Sequence, residues 1–206
     1  MTTAHFIHGF NVRDGGSNTV GKLAPYFALS GFDVVNHDFG WKFLFLLRRK
    51  NRAAVRQLLD TVADGDVLVL HSNAGLLGWM LTVEMARRRT APGLVICIQP
   101  ALRRDTDWPP SVKVLCLYNK RDWVVELGRI WGRFASVARP WRARHGWGSA
   151  GRHGFSSVSP NIASWDTGVP PVPATGHSGI FQTEQHLYWG LRLVLYARDV
   201  TAAPRA

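Results

Sequence analysis

The stretch VLVLHSNAGLLGW, residues 67–79, leads from an aliphatic run through a short turn of polar and small residues into a second apolar run. An aliphatic run is typical of a strand buried on both faces of a sheet, so we predict a strand over residues 66–70. The longer apolar stretch that follows predicts a helix over residues 74–89. Ser72 then lies on a sharp strand-to-helix turn, beside the backbone N–H groups and positive dipole end of a helix. Donors in that position can hold a developing oxyanion.

The rest of the chain alternates in the same way between short apolar runs and longer amphipathic ones. The pattern predicts further strands over residues 5–8, 32–36, 94–98, 112–118 and 161–165, and further helices over residues 19–30, 43–63, 124–137 and 185–198. Strands that alternate with helices predict an α/β fold, with a mostly parallel sheet and helices on both faces. We expect residues 1–200 to form a single domain and residues 201–206 to be a loose tail.

The composition is that of a globular protein. Of the 206 residues, 46% are hydrophobic and 19% are charged, which leaves enough apolar surface for a substantial core. No apolar run reaches the roughly 18 residues of a membrane span, and the N-terminus lacks a secretory pattern, so we expect a cytoplasmic protein. Cys97 and Cys116 lie in predicted strands and should be buried free thiols. Because no paired cysteine and histidine spacing accompanies them, we expect no metal site.

The charge is strongly positive, with a formal net value of +11 that comes mostly from arginine. A basic surface attracts anionic partners by long-range steering, and Arg103 and Arg104 follow a predicted strand on the side where a substrate would enter. Clustered arginines are also typical of solvated helix faces, and both interpretations stay open. No helix-turn-helix, zinc-finger or ribonucleoprotein motif accompanies the charge, so the sequence has no specific nucleic-acid motif and nucleic-acid binding is only a weak hypothesis.

Four segments, in chain order, resemble the α/β-hydrolase family. They are HFIHGF at residues 5–10, LVLHSNAGLLGW at 68–79, VLCLYNKRDWVV at 114–125 and TGHSGIF at 175–181. The resemblance spans about residues 4–198 and implies a minimal three-layer sandwich of the α/β-hydrolase type. It also implies a catalytic triad in the family's chain order, with Ser72 as nucleophile, Asp122 as acid and His177 as base. No cofactor would be required.

The resemblance also implies how the rest of the site is built. The backbone N–H groups of Phe10 and Asn73 would form the oxyanion hole. Candidate residues for the lining of the site are His8, Gly9, Asn11, His71 and Trp123. The family's histidine before the serine is packed rather than catalytic, which we expect of His71. The pair His37-Asp38 ends a predicted strand at the same edge, and a structural role is expected there.

The irregular stretch 140–173 leads directly to His177. Its aromatic residues either form the wall of the active-site cleft or complete a small core; they are Trp141, Trp147, Phe155 and Trp165. His145 and His153 also lie in this stretch, and without acidic partners at suitable spacing we expect each to be a surface or hydrogen-bonded histidine and not a ligand. No insertion between the strands is large enough for a lid domain, and we expect the family's first strands to be absent.

The sequence departs from the family at the strand-to-helix turn that carries Ser72, which we call the elbow. The family's usual pattern there is G-x-S-x-G. Leu70 and Ala74 stand at the two glycine positions. Alanine is a mild change, whereas leucine is bulky at a point where strand and helix approach closely. The departure affects the geometry of the turn and removes no catalytic group.

Each triad residue also has a structural interpretation. A serine after a strand is often a helix N-cap, Asp122 could cap a helix that begins near Trp123, and His177 could be an ordinary loop histidine. Three other carboxylates compete for the role of the acid: Asp105, Asp107 and Asp166. The joint occurrence of all three residue types in the family's order favours the triad, because the serine needs the base and the base needs the carboxylate.

Two functional hypotheses follow. The first is a serine hydrolase of the esterase or lipase type (EC 3.1), which cleaves an ester, or less readily an amide or thioester, through an acyl-enzyme. Its substrate would be a small molecule or acyl compound, and the positive charge allows an anionic one. The alternative is a catalytically weak or silent module that binds an anionic partner through its basic, tryptophan-rich surface.

Overall fold

Six parallel strands form one sheet in the described part of the chain. The computed structural model describes residues 1–202 except residues 10, 11, 13, 41–46, 128–147 and 158, and the side chains of residues 47–49 are also not described. The strands are β1 (Thr3–Ile7), β2 (Asp33–His37), β3 (Val67–His71), β4 (Leu94–Ile98), β5 (Lys113–Tyr118) and β6 (Ile162–Asp166). Their order across the sheet is β2-β1-β3-β4-β5-β6. This confirms the predicted parallel α/β sheet.

The helices connect these strands. They are α1 (Ala24–Leu29), α2 (Leu47–Leu58), α3 (Ala74–Arg87), α4 (Ala150–His153) and α5 (Thr183–Ala202), together with 3-10 turns at Val20–Leu23 and Gly179–Phe181. Residues 123–127 are also helical. A crossover between parallel strands needs a long connection, and these helices supply it.

The sheet is covered on both faces, which gives three layers. On one face α2 and α3 bury Val55, Leu77 and Leu81 against the strands. On the other face α1 and α5 bury Phe27 and Trp189. All residues of β3 and β4 are buried, as their aliphatic sequences predict for central strands.

Several predicted boundaries were wrong. The helix predicted over residues 19–30 divides into a 3-10 turn and α1, because Pro25 favours the first turn of an α-helix. The helix predicted over residues 43–63 ends at Leu58, where a turn follows. Within the irregular stretch 140–173 the sequence pattern missed α4, which is too short to show a helical period.

The last helix is longer than predicted. It runs from Thr183 through Ala202, so residues 201 and 202 are helical rather than part of a loose tail. Residues 203–206 lie outside the described part, and the single-domain assignment over residues 1–200 stays a prediction. In the described part of the chain, no helix is long and apolar enough to cross a membrane.

Candidate active site

Ser72 follows β3 in a strained turn. Its φ is +58°, a conformation that few residues other than glycine adopt. The turn is held from both sides, because the Ser72 N–H donates to the Ile98 carbonyl at 3.0 Å and the Ser72 carbonyl accepts from the N–H groups of Gly75 and Ala101, both at 3.1 Å. The half-buried serine therefore lies at the carboxyl edge of the sheet, on a turn that the neighbouring strand end fixes.

Small residues on α3 accommodate the bulky Leu70 at the elbow. The Leu70 side chain is fully buried, and a Cβ placed on Gly78 would lie 2.1 Å from its Cδ1. A Cβ on Gly75 would lie 2.8 Å from Pro100 Cβ. Strand β3 and helix α3 can therefore approach closely because the small residue of this contact, Gly78, lies on the helix.

His177 and Asp122 form a short polar contact at this edge. The His177 Nδ1–H donates to Asp122 Oδ2 at 2.7 Å, and Asp122 is fully buried. Its other oxygen, Oδ1, accepts from the Val125 N–H at 3.2 Å, so Asp122 also caps the helical turn that begins at Trp123. Asp122 thus makes both the capping contact and the contact with His177 that the two interpretations of the sequence require. With its Nδ1 proton bound to the carboxylate, the His177 ring keeps Nε2 free as a base.

His71 connects the elbow to His177. The two imidazole rings lie 5.0 Å apart, and His71 Nε2 is 3.3 Å from the His177 carbonyl oxygen. Since a carbonyl only accepts, this contact assigns the His71 proton to Nε2. Burial, and to a lesser degree the proximity of His177, lowers the pKa of His71 to about 3. His71 is therefore a neutral, packed residue and no competitor for the role of the base.

Solved structures match the fold over nearly the whole chain, whereas no protein-family model and no curated protein matches the sequence. An esterase from Rhizomucor miehei shares 13% identity, with a TM-score of 0.55 over 98% of this chain and 75% of that one. A Pyrobaculum calidifontis esterase shares 13% identity, with a TM-score of 0.56 over 98% and 78% of the two chains. A Paleococcus ferrophilus monoacylglycerol lipase shares 13% identity, with a TM-score of 0.59 over 97% and 96%.

The chain has the α/β-hydrolase fold. In this α/β-hydrolase fold, Ser72 follows β3, Asp122 follows β5, and His177 precedes the last helix. Among the described residues, no hydrogen bond joins the Ser72 hydroxyl to His177. The structure therefore brings together Asp122 and His177, and Ser72 directly follows His71, whose ring lies 5.0 Å from that of His177. Hydrogen bonds between a nucleophile and its base often tighten only when substrate is bound.

The His8-Gly9 segment of the α/β-hydrolase fold lies directly over the elbow. A Cβ on Gly9 would lie 2.8 Å from Ser72 Cβ and 2.9 Å from the His71 carbonyl oxygen, so only glycine fits there. The buried His8 ring holds the segment, with Nδ1 2.9 Å from the Gly9 carbonyl oxygen and Nε2 3.1 Å from Asp38 Oδ1. The Gly40 N–H, and then His8, lower the pKa of Asp38 by hydrogen bonding.

Of the two predicted oxyanion donors, only Asn73 lies among the described residues, and its role stays a prediction. Asn73 lies at the N-terminus of α3, and its backbone nitrogen would be 3.4 Å from a Cβ on Gly9. Its carboxamide is buried, and neither polar atom has a hydrogen-bond partner among the described residues. Phe10 and Asn11 lie outside the described residues, so their roles stay predictions. Trp123 is exposed beside Asp122, where it can border the site.

Other candidates from the sequence lie elsewhere. Phe155 packs edge-on against Trp108 at 5.9 Å in the core, and Trp165 packs against Tyr196 at 5.0 Å. These two aromatics complete the core and do not wall a cleft. Trp141, Trp147 and His145 lie outside the described residues, and His153 is exposed as expected.

The competing carboxylates have partners of their own or lie on the surface. Asp105 forms an ion pair with Arg103, which offsets the positive charge predicted there. Asp166 lies 3.6 Å from Lys120 and accepts from the Gly168 N–H. Asp107 is exposed. None of them contacts His177 in the described part of the chain.

Two polar residues at this edge, Gln99 and Asn119, are not among the predicted site residues. Each directly follows a buried strand, and each is fully buried. The same signal that drew attention to Ser72, a polar residue at the end of an aliphatic strand, would have found both. No group of three or more histidine, cysteine, aspartate or glutamate side chains suited to a metal occurs in the described part of the chain.

Proposed function

We propose that this chain is a serine hydrolase that cleaves an ester through an acyl-enzyme. The observation that carries the proposal is the 2.7 Å contact between His177 and the fully buried Asp122, next to a serine on a turn with positive φ. The esterases and the lipase among the solved structures of the same fold support this reaction class.

Each residue has a defined part in the proposed reaction. The Ser72 hydroxyl attacks the acyl carbon and passes its proton to His177 Nε2, while the Asp122 carboxylate stabilises the imidazolium through Nδ1. The carbonyl oxygen becomes an oxyanion, which the Asn73 N–H and the donor predicted at Phe10 would bind. His177 then gives the proton to the leaving alcohol. Water, activated by the same imidazole, attacks the acyl-enzyme and releases the acid and free Ser72.

The test uses a fluorophosphonate probe, which labels only activated serines, and p-nitrophenyl acetate as substrate. We expect the probe to label Ser72 in the wild-type chain and the Ser72→Ala variant to lose turnover while it keeps its fold. About 10³-fold residual acceleration over water can remain from the oxyanion donors and substrate binding. The exposed Ser178, one residue from His177, offers a matched control as Ser178→Ala.

Two outcomes would contradict the proposal. Unchanged ester turnover in Ser72→Ala would remove the serine from the mechanism. A wild-type chain that is folded but neither labelled nor active would favour the alternative, a silent module of the same fold that binds an anionic partner.

A further inference from the structure

Three carbonyls of the loop that carries His177 are held by side chains from three successive strand ends. We call residues 174–177 the base loop. The contacts are Asn119 Nδ2 to the Ala174 oxygen at 2.8 Å, Gln99 Nε2 to the Gly176 oxygen at 2.6 Å, and His71 Nε2 to the His177 oxygen at 3.3 Å. The three side chains His71, Gln99 and Asn119 are here called the donor clamp. Adjacent strands β3, β4 and β5 supply one donor each, so the clamp follows the edge of the sheet.

The clamp consists of buried, uncharged groups. Gln99 and Asn119 have no exposed surface, and His71 has 4%. Gln99 Oε1 and His71 Nδ1 are buried without a hydrogen-bond partner among the described residues. Burial of an unpaired acceptor is unfavourable. We therefore attribute the buried positions of Gln99 and His71 to the hydrogen bond that the N–H of each side chain donates.

Gln99 also connects the base loop to the nucleophile. Its φ of +46° is rare for a residue with a side chain. The two residues that flank its turn, Ile98 and Ala101, hydrogen-bond the backbone N–H and carbonyl of Ser72. The backbone of Gly151 packs closely against this turn, because a Cβ on Gly151 would lie 2.6 Å from the Gln99 carbonyl carbon. One rigid turn thus holds Ser72 through its backbone and Gly176 through its side chain.

We propose that Gln99, assisted by His71 and Asn119, is a positioning residue that sets the His177 imidazole between Asp122 and Ser72. Its side chain fixes the carbonyl immediately before His177, and the ring orientation follows from that backbone. Neutral donors serve this purpose because a fixed charge at the same place would act on the imidazolium that forms during the reaction. The catalytic consequence rests on the proposed function, whereas the effect on the His177 ring does not.

The test replaces the carboxamide in Gln99→Met, which keeps the approximate size of the side chain and removes the N–H. The matched control is Asn161→Leu, since Asn161 Nδ2 holds the Val112 carbonyl at 2.7 Å at the opposite edge of the sheet. We expect kcat for p-nitrophenyl acetate to fall by roughly 10- to 100-fold in Gln99→Met with KM nearly unchanged, as for a slightly misplaced catalytic group. Asn161→Leu should leave kcat unchanged.

A second measurement does not depend on turnover. Two-dimensional ¹H–¹⁵N spectra of the histidine rings report which nitrogen carries the proton. The wild-type His177 should show the Nδ1–H tautomer that its bond to Asp122 requires, and Gln99→Met should show a mixture of tautomers. If the wild type hydrolyses no ester, a change in this spectrum still supports the clamp. An unchanged spectrum together with an unchanged kcat would overturn it.

The variant Gln99→Glu covers the case in which Gln99→Met fails to fold. A protonated carboxyl can donate to the Gly176 oxygen, whereas a carboxylate repels it. The activity of Gln99→Glu relative to wild type should therefore rise as the pH is lowered. A constant ratio across the pH range would show that the donor at this position has no influence on His177.

Discussion

At the scale of single residues, Asp122 accepts two hydrogen bonds, one on each oxygen of its carboxylate. Oδ2 binds the ring of His177, and Oδ1 caps the helical turn that follows. An asparagine can keep the cap because its carbonyl oxygen still accepts. Its amide, however, offers an N–H where His177 needs an acceptor. The two roles of this residue can therefore be separated by one substitution.

We expect Asp122→Asn to lower kcat by up to ~10⁴-fold, because the ring of His177 would then favour the wrong tautomer. The free energy of unfolding should change little, since the cap is kept. Steady-state kinetics with p-nitrophenyl acetate and urea denaturation measure the two effects. Asp166→Asn is the matched control, and a larger loss of kcat in that variant would show that the acid has been misassigned.

At the scale of elements, the packing of β3 against α3 depends on a pair of residues. Leu70 fills the space that the absent side chain of Gly78 leaves on the helix. The usual glycine of the elbow is therefore not required at position 70. The close approach of β3 and α3 needs one small residue, and in this structure that residue lies on the helix.

A double-mutant cycle tests this pair. Gly78→Ala should destabilise the wild-type chain by roughly 1–3 kcal/mol through overpacking, which outweighs the gain of ~1 kcal/mol in helix propensity. In a Leu70→Ala background the same change should be neutral or stabilising, because the new methyl group enters the space that the leucine has left. Urea denaturation gives the four free energies of unfolding. Additive effects would mean that the two residues do not interact.

At the scale of the whole molecule, the stability should depend on pH through two histidines that stay neutral in the fold, the buried His71 and the half-buried His37. Burial and the nearby His177 lower the pKa of His71 to about 3. Burial and the nearby His5, which itself binds Asp66, lower the pKa of His37 to about 4. Both values lie below the ordinary 6.5, so the unfolded chain binds more protons than the folded chain between about pH 4 and 6.5. Acidification through this range therefore favours unfolding.

We expect the free energy of unfolding to rise with pH between about 4 and 6.5, with a slope of at most about 1.4 kcal/mol per pH unit for each of the two histidines. His37→Gln removes one of the two contributions and should reduce the slope. Urea denaturation at several pH values measures it. A slope that His37→Gln leaves unchanged would mean that the fold does not lower the pKa of His37.

The sequence determined the elements and most of the candidate site. Aliphatic runs such as those of β3 and β4 identify buried strands because only apolar side chains tolerate both faces of a covered sheet. Ser72 stands out because it directly follows such a strand, and Asp122 and His177 stand out because they lie in the segments that resemble the α/β-hydrolase family. These signals are local, so they can be found from a single chain.

The tertiary structure decided how those residues meet. It showed that Asp122 both caps a turn and binds His177, that Phe155 and Trp165 belong to the core, and that Gln99 holds the base loop. Gln99 and Gly176 are 77 positions apart in the chain. Contacts of that kind have no local pattern, since they arise only when parallel strands bring their carboxyl ends to one edge.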